Sequence, residues 1–301
     1  MHETLQLHSK TARTGAARSE MRRVSSAAVR PELVITGDDL GLHADWDAGI
    51  FEALRRGVLT STSVVTNGPA YPAVARELRA AGFDCGVHLN LVDGAPLSPA
   101  ADVPSLVDAQ GRFFGSAGRF LLRYVRGQVR RREIGLEWDR QLRRAFDDGL
   151  RPTHLNAHYH LHALPGLFGL AVELARRFGI GWVRMPDEPP WHARGAVAPA
   201  RAGALWLLAR RNRTAHRADG IGLMPCRGIA ANGALGLAAW HALFDRLSRE
   251  AVDLRAVEVM CHPGQVIEES AALLSPEFAA ELRVRAIPRS FRELGQVPTL
   301  A

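Results

Sequence analysis

The 301-residue sequence carries a single lysine, Lys10, although Lys and Arg together number 38. A chain whose one lysine stands in a polar N-terminal stretch has no core lysine for a Schiff base. It also lacks a Gly-Lys-Ser/Thr segment to grip a triphosphate. Cysteine is scarce: Cys85, Cys226 and Cys261 are odd in number and far apart. They form neither a Cys-x-x-Cys pair nor a disulfide framework, so a reducing compartment is expected. No uninterrupted apolar run is long enough to span a bilayer. Residues 1–30 are polar and Arg-rich with no apolar h-region, so no secretory signal is expected. They are expected to be disordered, and Met21 could serve as an alternative start.

Hydrophobic residues make up 47% and charged residues 23%, the balance of a soluble globular protein with a sizeable core. Residues 31–301 are expected to form one domain. The net charge of +7 comes almost wholly from arginine in an Ala- and Gly-rich chain, for which codon bias is the plain reading. Arginines concentrate at 123–132 and 210–217, with Tyr124 and Trp206 nearby. That pattern is compatible with a nucleic-acid surface, but solvated helix faces explain it as well, and no nucleic-acid partner is expected. Leu205-Trp206-Leu207-Leu208 beside Arg210-Arg211 suits either a buried helix or contact with an anionic membrane.

Short β-branched or apolar runs alternate with helical periodicity. Residues 32–37, 60–66, 85–91, 153–157, 181–185 and 256–261 read as strands. Residues 45–56, 71–81, 133–148, 166–178, 202–213 and 235–250, and the stretch from Pro276 onward, read as helices. Residues 93–125 read as a long excursion and 186–200 as a Pro-rich loop. About six strand–helix units favour a complete or distorted (β/α) barrel over an open sheet.

Asp and His gather at the C-terminal ends of these strands: Asp38-Asp39 after the first, His88 in the third, His158, His160 and His162 after the fourth, His262 after the last. The C-terminal rim is where (β/α) barrels build active sites, and one carboxylate with two imidazoles is a sensible set for a catalytic divalent metal. Adjacent Asp side chains on an extended chain point oppositely, so one could hold a metal while the other approaches bound water. Gly41 permits a turn away. The i, i+2 spacing of the histidines predicts several on one strand face. Each element has a plainer reading: Asp38-Asp39 as a helix cap, His88 as a core histidine, His262-Pro263-Gly264 as a turn. His2, His8, His43, His192, His216 and His241 are isolated and carry no assignment.

At these residues the chain resembles the YdjC-like carbohydrate deacetylase family. The pieces are Thr36-Gly37-Asp38-Asp39-Leu40-Gly41, Gly57-Val58-Leu59-Thr60-Ser61-Thr62-Ser63 and Gly86-Val87-His88-Leu89-Asn90-Leu91. They continue with Thr153-His154-Leu155-Asn156-Ala157-His158-Tyr159-His160-Leu161-His162 and Cys261-His262-Pro263-Gly264. The resemblance implies an α/β fold, a distorted (β/α) barrel of the polysaccharide-deacetylase type. It implies hydrolysis of the acetamido group of an N-acetylated amino sugar. By position it implies Asp39, His88 and His158 as ligands of a divalent metal, zinc or magnesium, with His160 the rival to His158. Asp38 would be the general base and His262 the general acid. Many relatives carry Asp-Ser where this chain has Asn156-Ala157. That pair, with Val183-Arg184-Met185-Pro186 leading to Glu188-Pro189-Pro190, resembles the hopanoid-biosynthesis-associated branch, whose substrate would be an N-acetylglucosaminyl hopanoid. The corresponding expectations are a sugar or glycolipid substrate, a cytoplasmic location with peripheral inner-membrane contact, and a homodimer as an open state. The rival enzyme is another metal hydrolase on the same barrel, acting on a cyclic amide or phosphoester.

Overall fold

The structure is a computed structural model that describes residues 30–193, 198–216, 220–231, 234–250, 254 and 256–295. The segment 1–29, expected to be disordered, lies outside the described residues. The strands are β1 (Glu32–Leu40), β2 (Ser61–Val64), β3 (Cys85–Leu89), β4 (His154–Ala157), β5 (Trp182–Met185), β6 (Gly222–Arg227), β7 (Ala256–Cys261) and the two-residue β8 (Ile287–Pro288). The helices are α1 (Ala44–Arg55), α2 (Tyr71–Ala81), α3 (Ala117–Val125), α4 (Arg131–Asp147) and α5 (Leu167–Arg177), then α6 (Ala198–His216), α7 (Leu237–Glu250), α8 (Ile267–Leu273), α9 (Pro276–Arg285) and α10 (Phe291–Leu294).

β1 to β7 pair in parallel in chain order, and β7 returns to β1, Glu32 opposite Ala256 and Gly37 opposite Cys261. This is the expected closed barrel, with seven full strands. The distortion lies beside β1. Its first residues, Glu32 and Leu33, pair with β8, and it meets β2 only from Thr36 onward. The periodicity missed β6, β8 and α8, and it read α3 as part of an irregular excursion. β6 carries a proline and begins at a glycine, which mask its strand pattern. The stretch read as loop at 186–200 contains a 3-10 turn at Pro190–His192 and the start of α6.

Period-two alternation divides the strands into two sets. Leu33, Ile35, Val87, Leu155, Val183 and Val257 join the large core under the helices. Their neighbours fill the barrel. Val34, Trp182, Met224 and Ala256 form its floor, and α10 plugs it with Phe291 and Leu294. One layer up, the interior is ionic: Asp38, Arg184 and Glu258 are all buried there. Fully buried charges survive only when paired and hydrogen-bonded, and here they support the rim above them.

Candidate active site

β1 carries the pair Asp38-Asp39 into an irregularity. The register with β2 shifts between Gly37 and Leu40, and Asp39 has φ of 67°. Simple alternation would send the two side chains to opposite faces. The bulge and the left-handed residue instead place both on the lining of one pocket of about 220 Å³. Bulges re-aim side chains in this way, and a left-handed non-glycine residue is a strained conformation that the surroundings must hold. Gly41, at φ of 89°, turns the chain away as expected.

Asp39, His88 and His158 offer one ligand atom each, all within 4.8 Å of one another. His88 Nε2 is 3.2 Å and His158 Nδ1 2.8 Å from the same oxygen, Asp39 Oδ1. That oxygen is buried and accepts no well-directed hydrogen bond. Two imidazole nitrogens crowded on one such carboxylate oxygen fit a shared divalent cation better than they fit a hydrogen-bonded cluster. The second nitrogen of each ring is anchored. His158 Nε2 lies 2.9 Å from Asp93 Oδ2, and His88 Nδ1 lies 3.1 Å from Ser63 Oγ. Such outer partners orient ligating rings. The Asn156 amide is best turned so that its oxygen accepts from Arg184 at 2.8 Å and its nitrogen donates to His88 Nδ1 at 2.6 Å. A cation on Nε2 requires the other imidazole tautomer, and the Asn156 amide must then turn back so that its oxygen, 2.6 Å away, accepts from Nδ1–H, with Ser63 Oγ at 3.1 Å as a second acceptor.

Burial opposes ionisation of Asp39, but His158 and His88 outweigh it and hold the carboxyl well below its usual range. Burial would likewise depress His158, yet the Asp39 and Asp93 carboxylates push it up to about 10. Asp38 is buried too, and the Arg184 guanidinium overrides the desolvation to hold it far below the ordinary value. Arg184 donates to both Asp38 oxygens and both Glu258 oxygens, with Nη2 at 2.8 Å from Asp38 Oδ1 and Nε at 2.9 Å from Glu258 Oε2. Ser63 Oγ donates to Asp38 Oδ1 at 2.7 Å.

His262 lines the same pocket, just past β7. Its backbone N–H donates to Glu269 Oε2 at 2.5 Å, and its Nδ1 lies 3.7 Å from the same oxygen. Burial lowers its basicity, but Glu269 and the two aspartates win and the pKa is raised.

The other histidines of the cluster do other work. β4 ends at Ala157, and residues 158–163 form a kinked 3-10 turn with Tyr159 and His160 at positive φ, so the expected single strand face does not exist there. Only His158 reaches Asp39. His160 lines the pocket, its basicity suppressed by burial and by Arg184. His162 Nε2 lies 2.9 Å from the Arg184 carbonyl oxygen, and His154 stacks on Phe291. The sequence assigned no role in the site to Asp93, Ser63, Arg184, Glu258 or Glu269, although Ser63 and Arg184 stand within the motifs that carry the resemblance. Arg184 and Glu258 did leave a signal: opposite charges in the middle of Val183-Arg184-Met185 and Val257-Glu258-Val259, where an apolar strand should be uninterrupted. A larger groove of about 570 Å³ between α2 and α4 is lined by arginines, including Arg76 and Arg140, and contains none of these converging groups.

A parallel barrel with a buried carboxylate–imidazole cluster opening at its C-terminal rim defines a (β/α)-barrel enzyme with a site suited to metal-assisted hydrolysis. The sequence profile described as YdjC-like protein matches residues 32–284, and the chain belongs to that family. A carbohydrate deacetylase of Mus musculus is 34% identical over 257 residues, covering 78% of each chain. A carbohydrate deacetylase of Geobacillus stearothermophilus is 31% identical over 269 residues, covering 84% of this chain and 94% of its own. The crystal structure of a candidate cellobiose-phosphate cleavage protein from Enterococcus faecalis V583 superposes with a TM-score of 0.67 at 24% identity, over 88% of this chain and 99% of that one. It shares the fold.

Proposed function

We propose that this chain is a carbohydrate N-deacetylase that hydrolyses the acetamido group of an N-acetylated amino sugar and releases acetate. The observation that carries the reading is the convergence of Asp39, His88 and His158 in a rim pocket that Asp38 and His262 also line. Family membership and the names of the relatives support it. Asp39, His88 and His158 would hold a divalent cation, which when bound supplies Lewis acidity toward the acetyl oxygen and toward water. Two imidazoles favour zinc or a similar transition ion, and magnesium suits the site at high concentration.

The protein groups divide the proton chemistry. Asp38, kept ionised by Arg184, accepts the proton of the attacking water. Its Oδ2 has Arg184 as its hydrogen-bond partner among the described residues, which leaves a lone pair for the water. His262, whose raised pKa favours the imidazolium, gives a proton to the departing sugar nitrogen. A pocket of about 220 Å³ accommodates the acetamido end of one sugar rather than a whole oligosaccharide.

The finer substrate we propose is an N-acetylglucosaminyl hopanoid, supported by the Asn156-Ala157 and Val183–Pro186 features that resemble the hopanoid-associated branch. That substrate implies a cytoplasmic enzyme working at the inner membrane. Among the described residues no helix is long and apolar enough to cross a membrane.

The test is acetate release from N-acetylglucosamine oligomers and from a glycosylated hopanoid, with zinc or magnesium added. Asp38→Asn is expected to keep its cation and lose about 10²–10⁴ in rate. Near-normal turnover by that variant would remove Asp38 as the base, and no acetate from any N-acetyl sugar would remove the activity.

A further inference from the structure

Exposed apolar side chains recur in the connections that follow β3, β4, β5 and β7, and one of them, Tyr159, lines the pocket itself, while Ile267 directly follows its lining residue Val266. Leu122 and Val125 lie on α3, in the connection after β3. Trp191 and Leu207 lie in the connection after β5, and Ile267 just after β7. Every one of these segments leaves the C-terminal end of a strand. Trp191 is 71% and Val125 77% exposed, and large apolar groups so open to water mark interaction surfaces when they cluster.

The pieces are physically continuous. α6 lies across the rim, packing on the turns that follow β4 and β6, with Asn212 donating to the Ala163 carbonyl at 2.9 Å. Its first turn places Arg201 in the pocket lining. Farther along, Trp191 meets Trp206 edge to face at 5.8 Å, and Arg210 stacks over Trp206 at 4.8 Å. On the other flank, the Tyr124 hydroxyl of α3 donates to Pro165 O at 2.5 Å, and Pro165 and Gly166 border Arg211 and Asn212 of α6. α3 and α6 therefore flank one loop and present one face.

The charge on the stretch around α3 and on α6 has one sign, and the acids near it are Asp187, which pairs with Arg213, and the exposed Glu268 beside Ile267. No Asp or Glu occurs between Asp108 and Glu133, a stretch holding seven arginines, and α6 holds four arginines and no acid. A double-stranded nucleic acid would use the arginines but not the exposed Leu122, Val125, Leu207 and Ile267. A second copy of so cationic a face would repel itself. Anionic lipid uses both features: aromatic and aliphatic groups enter the headgroup boundary while guanidinium groups meet phosphates.

We propose that this rim is an interfacial docking surface for an anionic lipid bilayer, seated through α3, Trp191 and α6, with the pocket mouth opening toward the membrane. The presentation of an amino sugar from that membrane rests on the deacetylase reading; the docking surface does not.

The experiment is vesicle co-sedimentation of the full chain, using phosphatidylcholine with and without phosphatidylglycerol, at low and high salt. Binding is expected only with the anionic lipid, accompanied by a blue-shifted tryptophan emission that brominated lipid quenches. Arg210→Glu with Arg211→Glu should weaken partitioning by at least about thirtyfold, and Val125→Glu with Leu207→Glu by about tenfold or more. These substitutions sit at exposed positions, and circular dichroism checks their fold. Both double variants should still release acetate from a soluble short sugar, which separates failure of docking from failure of the chemistry. Val284→Glu, at an exposed position of α9 that is not part of α3, the Trp191 turn or α6, should bind like the parent. No sedimentation at low salt overturns the proposal. So does salt-sensitive binding that Val125→Glu/Leu207→Glu leaves intact, or self-association or nucleic-acid binding that those substitutions abolish in the absence of vesicle binding.

Discussion

Replacing Arg184 by Met tests the ionic layer beneath the site most directly. The long apolar side chain fills much of the same space, so the change removes charge and hydrogen bonds more than volume. Arg184 is fully buried, as are Asp38 and Glu258 within 2% exposure. Without the guanidinium, two carboxylates remain in a medium that cannot solvate them, and removing one partner of such a pair costs about 3–5 kcal/mol. With an unfolding entropy near 2.1 cal/mol/K per residue, a chain of 301 residues converts that loss into a fall in Tm of about 5–8 °C. Scanning calorimetry at neutral pH reads it. The accompanying double variant, Asp38→Asn with Arg184→Met, removes one stranded charge. It should therefore be more stable than the sum of its single variants by more than about 0.5 kcal/mol. Glu258→Gln, which keeps the Arg184–Asp38 pair, is a milder partner in the series and should cost about 1–3 kcal/mol. The sign with pH follows. Asp38 has a depressed folded pKa, so its contribution is present above the unfolded carboxylate value and is lost as pH falls through the folded one. Arg184→Met should flatten that acid dependence. A Tm drop below about 2 °C, or strict additivity in the double variant, would refute the account of Arg184 as the counter-ion that permits Asp38 to be buried and ionised.

Metal content measured by mass spectrometry should fall to background in His88→Ala and in His158→Ala but persist in His160→Ala; retention by His158→Ala would shift the ligand to the rival histidine. Because His158 in the cation-free protein is pushed up to about 10 by Asp39 and Asp93, cation binding at neutral pH should displace its proton. Calorimetric binding enthalpies should then vary with the ionisation enthalpy of the buffer, and buffer independence would contradict this. Glu269→Gln removes the carboxylate that raises His262. The alkaline limb of kcat/KM should move to lower pH, since the acid form of His262 is then lost earlier; an unmoved limb would assign the acid elsewhere. Gly49→Ala should destabilise the protein by about 1–3 kcal/mol, because its Cβ would stand 2.6 Å from the Gly264 backbone beside His262; thermal denaturation reports it.

The alternation of short β-branched runs with amphipathic helices favoured a (β/α) barrel over an open sheet without settling closure, since periods of 2 and 3.6 are local properties that survive in the linear chain. Asp38-Asp39, His88, the cluster His158, His160 and His162, and His262 stood out for the same reason: a polar group at the end of an apolar strand is visible without knowing the strand's neighbours, whereas the choice of His158 within the cluster came from the family resemblance. Strand number was less legible. β8 is only two residues long and exists because β1 and β2 diverge below Thr36, which no local pattern encodes.

What the linear chain determined by itself was which residue types capable of this chemistry it carries and at which end of the strands they stand. Closure of the barrel decided the rest. It placed Arg184 of β5 between Asp38 of β1 and Glu258 of β7, and it set Asp93, from the turn after β3, behind His158. It also made the bulge at Asp39 turn two adjacent carboxylates into one pocket. Those relations depend on which strands are neighbours and on a single left-handed residue. They are consequences of long-range pairing and burial, which local spacing along a chain does not contain.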